Sequence, residues 1–133
     1  MKKAYFDSSA IIKLGHYEPE SHALIDYISE DQLSLATSII ADVEVRRTLD
    51  RLRTAGADPG DHVRGFFLID LSRDVRDRAV EVGSSVLRSI DAIHVASALT
   101  IEADIDFVTY DTRQAAAARA AGLRVVQPGR TGP

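Results

Sequence analysis

Short apolar runs alternate with longer stretches of helical spacing along this chain. Residues 3–6 (KAYF) are apolar up to Asp7, and SSAIIKL follows with helical spacing, so a strand should give way to a helix with an acid at the joint. Residues 20–29 (ESHALIDYIS) place Ala23, Leu24, Tyr27 and Ile28 as a helix would, and LSLA at 33–36 reads as a second short strand. From Ser38 to about Thr54 the pattern is amphipathic and helical, with Gly56 as a left-handed stop and a turn at 57–61 (ADPGD). VRGFFLIDL contains a third buried strand around Phe67 to Leu71, and Ser72 can cap a helix ending at Gly83. Ser89 is expected to cap IDAIHVASALTIEA, DFVTY at 106–110 forms a fourth strand, and Asp111 opens a helix that Gly122 closes before a last strand, LRVVQ. PGRTGP at 128–133 reads as a frayed tail. Strands alternating with helices imply parallel pairing through right-handed crossovers. The expected fold is α/β, a three-layer α/β/α sandwich with strand order 3-2-1-4-5 and one domain over residues 1–133.

A chain of 133 residues can bury one core without disulfides or a structural metal, and the absence of cysteine excludes thiolate sites and suits a reducing compartment. The N-terminus lacks the long apolar stretch that export or insertion requires, so a soluble cytoplasmic protein with no membrane association is expected. Sixteen basic against twenty acidic residues give a net charge of −4, the wrong sign for binding nucleic acid by bulk electrostatics. An enzyme acting on nucleic acid would therefore need cations. Arg46, Arg47, Arg51 and Arg53 crowd one segment; Arg46 and Arg53 read as a solvated helix face, while Arg47 and Arg51 are candidates for phosphate contacts.

The acids carry the chemistry. In an open parallel sheet the ligand crevice lies at the carboxyl ends of the strands where the connections diverge, and Asp7 and Asp111 follow the two strands that strand order 3-2-1-4-5 makes neighbours there. Glu44 shares a helix face with Ile40, Val43 and Arg47, and Asp91 lies in the first turn of an otherwise apolar helix. Each has a plain structural reading: Asp111 as a helix cap, Asp91 favoured by the helix dipole, Glu44 paired with Thr48 or Arg47, Asp7 starting an Asx turn. Together they would place several like charges in one crevice, which a divalent cation would neutralise. Oxygen-only ligands suit magnesium or manganese, and no histidine pair has zinc-ligand spacing, so His94 reads as core or as support for an acid. Carboxylate-held cations beside arginines are equipment for phosphodiester hydrolysis by metal-activated water. No P-loop, GxGxxG or GxSxG is present, and the segment DSS after the first strand lacks the second Asp of a phosphatase DxD.

Four segments, YFDSSAIIKL, ADVEVRRTL, SIDAIHVASAL and FVTYDTRQAAAARAAGLRVVQPG, resemble the motifs of PIN-domain, VapC-type toxins over nearly the whole chain. The resemblance implies that Asp7, Glu44, Asp91 and Asp111 are metal-binding catalytic acids, with Thr109 and, less directly, Ser9 in support. It implies an endoribonuclease using Mg2+ or Mn2+, one or two ions, with Arg47 and Arg51 as possible RNA contacts. It further implies a homodimer held inactive by a cognate antitoxin, with any DNA binding belonging to the antitoxin. Some relatives carry a further acid just after the position of Asp111, where this chain has Thr112 and Arg113, which bears on the second metal site. The alternatives are a PIN-like module that binds RNA or a partner without turnover, and an acidic-pocket phosphatase.

Overall fold

A side-chain period of two splits the first strand, β1 (Lys3–Phe6), between two cores: Ala4 and Phe6 enter one, Tyr5 the other. This computed structural model describes residues 2–52, 62–101 and 103–130. After β1 come α1 (Ser8–Gly15), α2 (Ser21–Asp31), β2 (Ser34–Ser38), α3 (Ile39–Leu52), β3 (Phe66–Ile69), α4 (Arg73–Glu81), α5 (Ser89–Leu99), β4 (Ile105–Val108), α6 (Thr112–Ala120) and β5 (Arg124–Val126). All neighbouring strands pair in parallel, in the order β3-β2-β1-β4-β5.

The two cores lie on opposite faces of that sheet. Ile11 of α1, Leu24 of α2 and Ala41, Val45 and Leu49 of α3 pack against Ala4, Phe6 and Val108. On the other face Val95 and Ala98 of α5 and Ala117 and Ala118 of α6 meet Tyr5, Ile105 and Phe107, with the Tyr5 and Phe107 rings stacked 5.3 Å apart. Helices on both faces make the three-layer sandwich that the alternation of elements predicts. Asp7, Ser72 and Asp111 cap α1, α4 and α6 through their side chains, as expected.

Several expectations need correction. β3 is an edge strand rather than a buried one: among the described residues it pairs only with β2, runs Phe66–Ile69, and leaves Phe67 71% exposed. Arg88, not Ser89, is the N-cap of α5; its carbonyl takes the Ala92 N–H, and the helix therefore starts one residue early and places Asp91 in its third position. The same helix stops at Leu99, where Thr100 turns its hydroxyl onto the Ser97 carbonyl at 2.7 Å. Residues 128–130 are pinned, not frayed. The Tyr110 hydroxyl donates to the Pro128 carbonyl at 2.7 Å, and Arg130 donates to the Tyr110 carbonyl at 2.8 Å, covers its ring and pairs with Glu20. The expected stop at Gly56, the turn at 57–61 and Arg53 lie outside the described residues.

Tyr110→Phe keeps the ring and its cation contacts but leaves the Pro128 carbonyl without its donor. Urea unfolding should show a loss of about 1 kcal/mol. An unchanged midpoint would mean that the hydrogen bond from Tyr110 to Pro128 contributes nothing to stability.

Candidate active site

Asp7 is the first residue beyond β1, and its backbone N–H donates to the Val108 carbonyl of the neighbouring strand at 3.1 Å. Its side chain is 3% exposed and hydrogen-bonded on each oxygen: Oδ1 accepts from Ser9 Oγ at 2.6 Å and from the Ala10 N–H, and Oδ2 accepts from Thr109 Oγ1 at 2.5 Å. Ser9 Oγ in turn accepts the Tyr110 N–H, and Thr109 Oγ1 accepts the Asp111 N–H. The carboxylate orientation is thus set from two strand ends at once. Burial pushes the Asp7 pKa above the usual carboxylate range, against the lowering effects of the nearby His94 and the hydrogen bonds from Ser9, Thr109 and Ala10.

Glu44 reaches the same region from the middle of α3. Its Oε1 accepts from Ser8 Oγ at 2.5 Å and lies 2.7 Å from His94 Nε2. On the opposite edge of that imidazole, Nδ1 lies 2.6 Å from the buried Tyr5 hydroxyl, which itself accepts the Ser38 N–H. With that N–H as donor, the Tyr5 hydroxyl is free to donate to Nδ1, which leaves Nε2–H to donate to Glu44. Burial pushes Glu44 upward, yet its pKa is lowered on balance because the hydrogen bonds from His94 and Ser8 favour the anion. Glu44 therefore pairs with His94 and Ser8, not with Thr48 or Arg47. His94 is a core residue that also supports an acid.

The other two acids share a cation. Arg88 Nε donates to Asp91 Oδ2 at 3.0 Å, and its Nη2 lies 3.4 Å from Asp91 Oδ1 and 3.8 Å from Asp111 Oδ2. Asp111 meanwhile caps α6 by accepting the Gln114 N–H at 3.0 Å, so its structural reading is correct and leaves Oδ2 for Arg88.

One run of contacts joins the four acids: Glu44 to Ser8, along the backbone to Asp7, across to Thr109 and Asp111, and through Arg88 to Asp91. Each acid nevertheless keeps its own partners, and among the described residues no three His, Asp or Glu side chains are grouped so as to hold an ion as they stand. Arg46 pairs with Asp42 one turn away, as a solvated helix face would. Arg47 and Arg51 are exposed on α3; Arg51 lies two turns beyond Glu44 on the same stripe, about 10 Å along the axis, with Nη2 3.4 Å from Thr48 Oγ1. Sequence reasoning missed Arg88, Ser8 and Tyr5. A basic residue three positions before an acid in a first helical turn was the available signal for Arg88; nothing local marked Ser8 and Tyr5, whose partners are distant in sequence.

A parallel sheet in this order with acids at the ends of its central strands defines a class of protein, and residues 4–120 match the PIN domain family. The chain belongs to that family, in its VapC-type branch. It is 36% identical to Ribonuclease VapC46 of Mycobacterium tuberculosis (strain ATCC 25618 / H37Rv) over 129 residues, 96% of this chain and 99% of the relative. The crystal structure of VapC20 of Mycobacterium tuberculosis, a sarcin-ricin loop cleaving toxin, matches with a TM-score of 0.72 at 16% identity, over 94% of this chain and 99% of that one. A toxin-antitoxin complex from Klebsiella pneumoniae matches with a TM-score of 0.66 at 22% identity, over 92% and 95% of the two chains. At these identities the two structures speak for the fold alone.

Asp7→Asn should leave the chain folded, since Oδ1 keeps its Ser9 and Ala10 donors and the Thr109 hydroxyl can turn to accept. A carboxyl pKa raised by folding means that the native state binds the proton more tightly, so stability is greatest below the unfolded value, about 3.9, and falls as pH rises through the folded one. In chelator at neutral pH, Asp7→Asn should therefore be more stable than wild type by about 1 kcal/mol, with the gain vanishing in acid. Thermal melts across pH check this; a variant that melts far below wild type at neutral pH would make Asp7 a structural residue.

Proposed function

We propose that this chain is a metal-dependent endoribonuclease acting as the toxin of a toxin-antitoxin pair. The observation that carries the proposal is the buried, doubly oriented Asp7 carboxylate, joined by contacts to Glu44, Asp91 and Asp111 at the carboxyl ends of the central strands. The ribonuclease name of the 36% identical relative supports the same reading.

The donor set fits a hard divalent cation: it offers carboxylate oxygens without thiolates, and Asp91 and Asp111 already share a cationic group in Arg88. Asp7, Asp91, Asp111 and Glu44 would hold Mg2+ or Mn2+, as one ion or two. When bound, the metal supplies positive charge that activates water and stabilises the leaving oxygen of a phosphodiester. The protein's own contribution is positional. Ser9 and Thr109 fix both oxygens of Asp7, while Ser8 and His94 keep Glu44 anionic. Arg51, exposed on the Glu44 stripe of α3, and Arg47 beside it provide positive charge along which an RNA backbone can lie. A cognate antitoxin covers these acids, in keeping with the toxin-antitoxin complex among the similar structures. The toxin works as a homodimer, as the resemblance to VapC-type toxins implies.

A second reading, a PIN-like module that binds RNA or a partner without turnover, draws on the occupation of Asp91 and Asp111 by Arg88. Incubating the purified chain with end-labelled structured RNA in Mg2+, Mn2+ or chelator separates the two. Wild type should cleave only with metal, and Asp7→Asn and Asp91→Asn should be slower by at least about 100-fold. Arg51→Ala should raise KM and flatten the salt dependence while leaving kcat near wild type. Cleavage by Asp7→Asn at the wild-type rate would overturn the assignment, RNA binding without cleavage would favour the module, and turnover of small phosphate esters alone would favour a phosphatase.

A further inference from the structure

We propose that Arg88 is the chain's own counter-cation for the acid crevice, holding Asp91 and Asp111 in the metal-free protein and displaced when a divalent ion enters. Metal uptake is then an exchange of one cation for another. The inference rests on the metal-binding reading above but concerns a residue that holds no metal in it.

Three observations carry it. The first is geometry. Arg88 contacts both oxygens of the buried Asp91, at 3.0 and 3.4 Å, and its Nη2 also reaches Asp111 Oδ2, on a different element, at 3.8 Å. An ordinary pair three residues apart on a helix has one partner; this guanidinium spans two acids that the fold brings together from α5 and from the start of α6.

The second is that helix stability does not account for an arginine at this position. Arg88 is the N-cap of α5, where Ser, Thr, Asp or Asn would accept a backbone N–H, and its side chain makes no capping hydrogen bond. A positive charge there also opposes the helix dipole. What the residue gains, it gains from its ion pairs with the acids, Asp91 at 3.0 Å and Asp111 at 3.8 Å.

The third is freedom to leave. The Arg88 side chain is 66% exposed although it is anchored to a carboxylate that is nearly buried. Its head can swing into water without unpacking the core. Asp91 has no such freedom, because its helix packs against the sheet, so the carboxylates stay in place and the cation changes.

Arg88→Met removes the charge and keeps much of the stem, and α5 does not use the side chain as a cap. Arg88→Lys keeps the charge. Mn2+ binding to the full-length proteins, followed by titration calorimetry or by the loss of the free-ion electron paramagnetic resonance signal, reads the exchange directly. Arg88→Met should bind Mn2+ about three- to tenfold more tightly than wild type, and Arg88→Lys should stay within about twofold of it. In chelator Arg88→Met should melt below wild type, because the acids have lost their counter-charge, and saturating Mn2+ should close that gap. Unchanged or weaker Mn2+ binding by Arg88→Met, with metal-dependent RNA cleavage intact in wild type, overturns the exchange alone. Failure of both proteins to bind Mn2+ overturns the metal reading and the exchange with it.

Discussion

The parallel pairing of β1 with β4 is the constraint on which the site depends. Its register sets Phe6 beside Val108, and the Asp7 N–H closes on the Val108 carbonyl at 3.1 Å, so the two chain segments leave the sheet one hydrogen bond apart. The links that cross between the two segments, Thr109 to Asp7 and Tyr110 to Ser9, follow from that proximity. A slip of one residue would turn Tyr5 out of the α5 and α6 face, and the Tyr5 to His94 to Glu44 series could not form.

Burying acids at one end of the sheet is costly, and the fold meets that cost differently at each one. Asp7 is buried with hydrogen-bond donors but, among the described residues, no direct cation, and its raised pKa records the penalty. Glu44 is placed against an imidazole and a hydroxyl, which outweigh its burial. Asp91 and Asp111 share Arg88. The contrast with Asp106, on β4 away from these contacts, is instructive. That carboxylate is also buried, yet Tyr27, Arg124 and Lys2 donate to it and bring its pKa below the usual range. A fully paired acid of that kind serves stability, whereas an acid with a raised pKa and no direct cation partner keeps a reason to bind one.

The helices divide the labour. α1 and α6 begin at the strand ends with an aspartate cap each, so Asp7 and Asp111 each hold a helix terminus at the carboxyl end of the sheet. α3 and α5 come from opposite faces of the sheet and supply Glu44 and Asp91. Because the caps are built into the fold, the acids are presented by rigid elements rather than by a loop.

The sequence by itself determined the alternation of strands and helices and their parallel order, and it marked Asp7, Glu44, Asp91 and Asp111 as candidates. Hydrophobic period, turn residues and cap residues are local signals, and Asp7, Ser72 and Asp111 each announce the helix they start. It could not decide what depends on distant neighbours. Phe67 has the composition of a buried strand residue and is exposed because β3 is the sheet edge. Pro128 to Arg130 have the composition of a free tail and are held because the fold brings Tyr110 and Glu20 beneath them. His94 finds Tyr5 and Glu44 across separations of 89 and 50 residues, and Arg88 finds Asp111 only because α5 and α6 start at the same end of the sheet. Propensity acts within a few residues, while charge pairing and burial act through space: the local partners, Ser9 and Ala10 for Asp7, Arg88 for Asp91 and Gln114 for Asp111, lay within reach of the sequence, and the distant ones, Thr109 for Asp7, His94 for Glu44 and Arg88 for Asp111, were decided by tertiary structure.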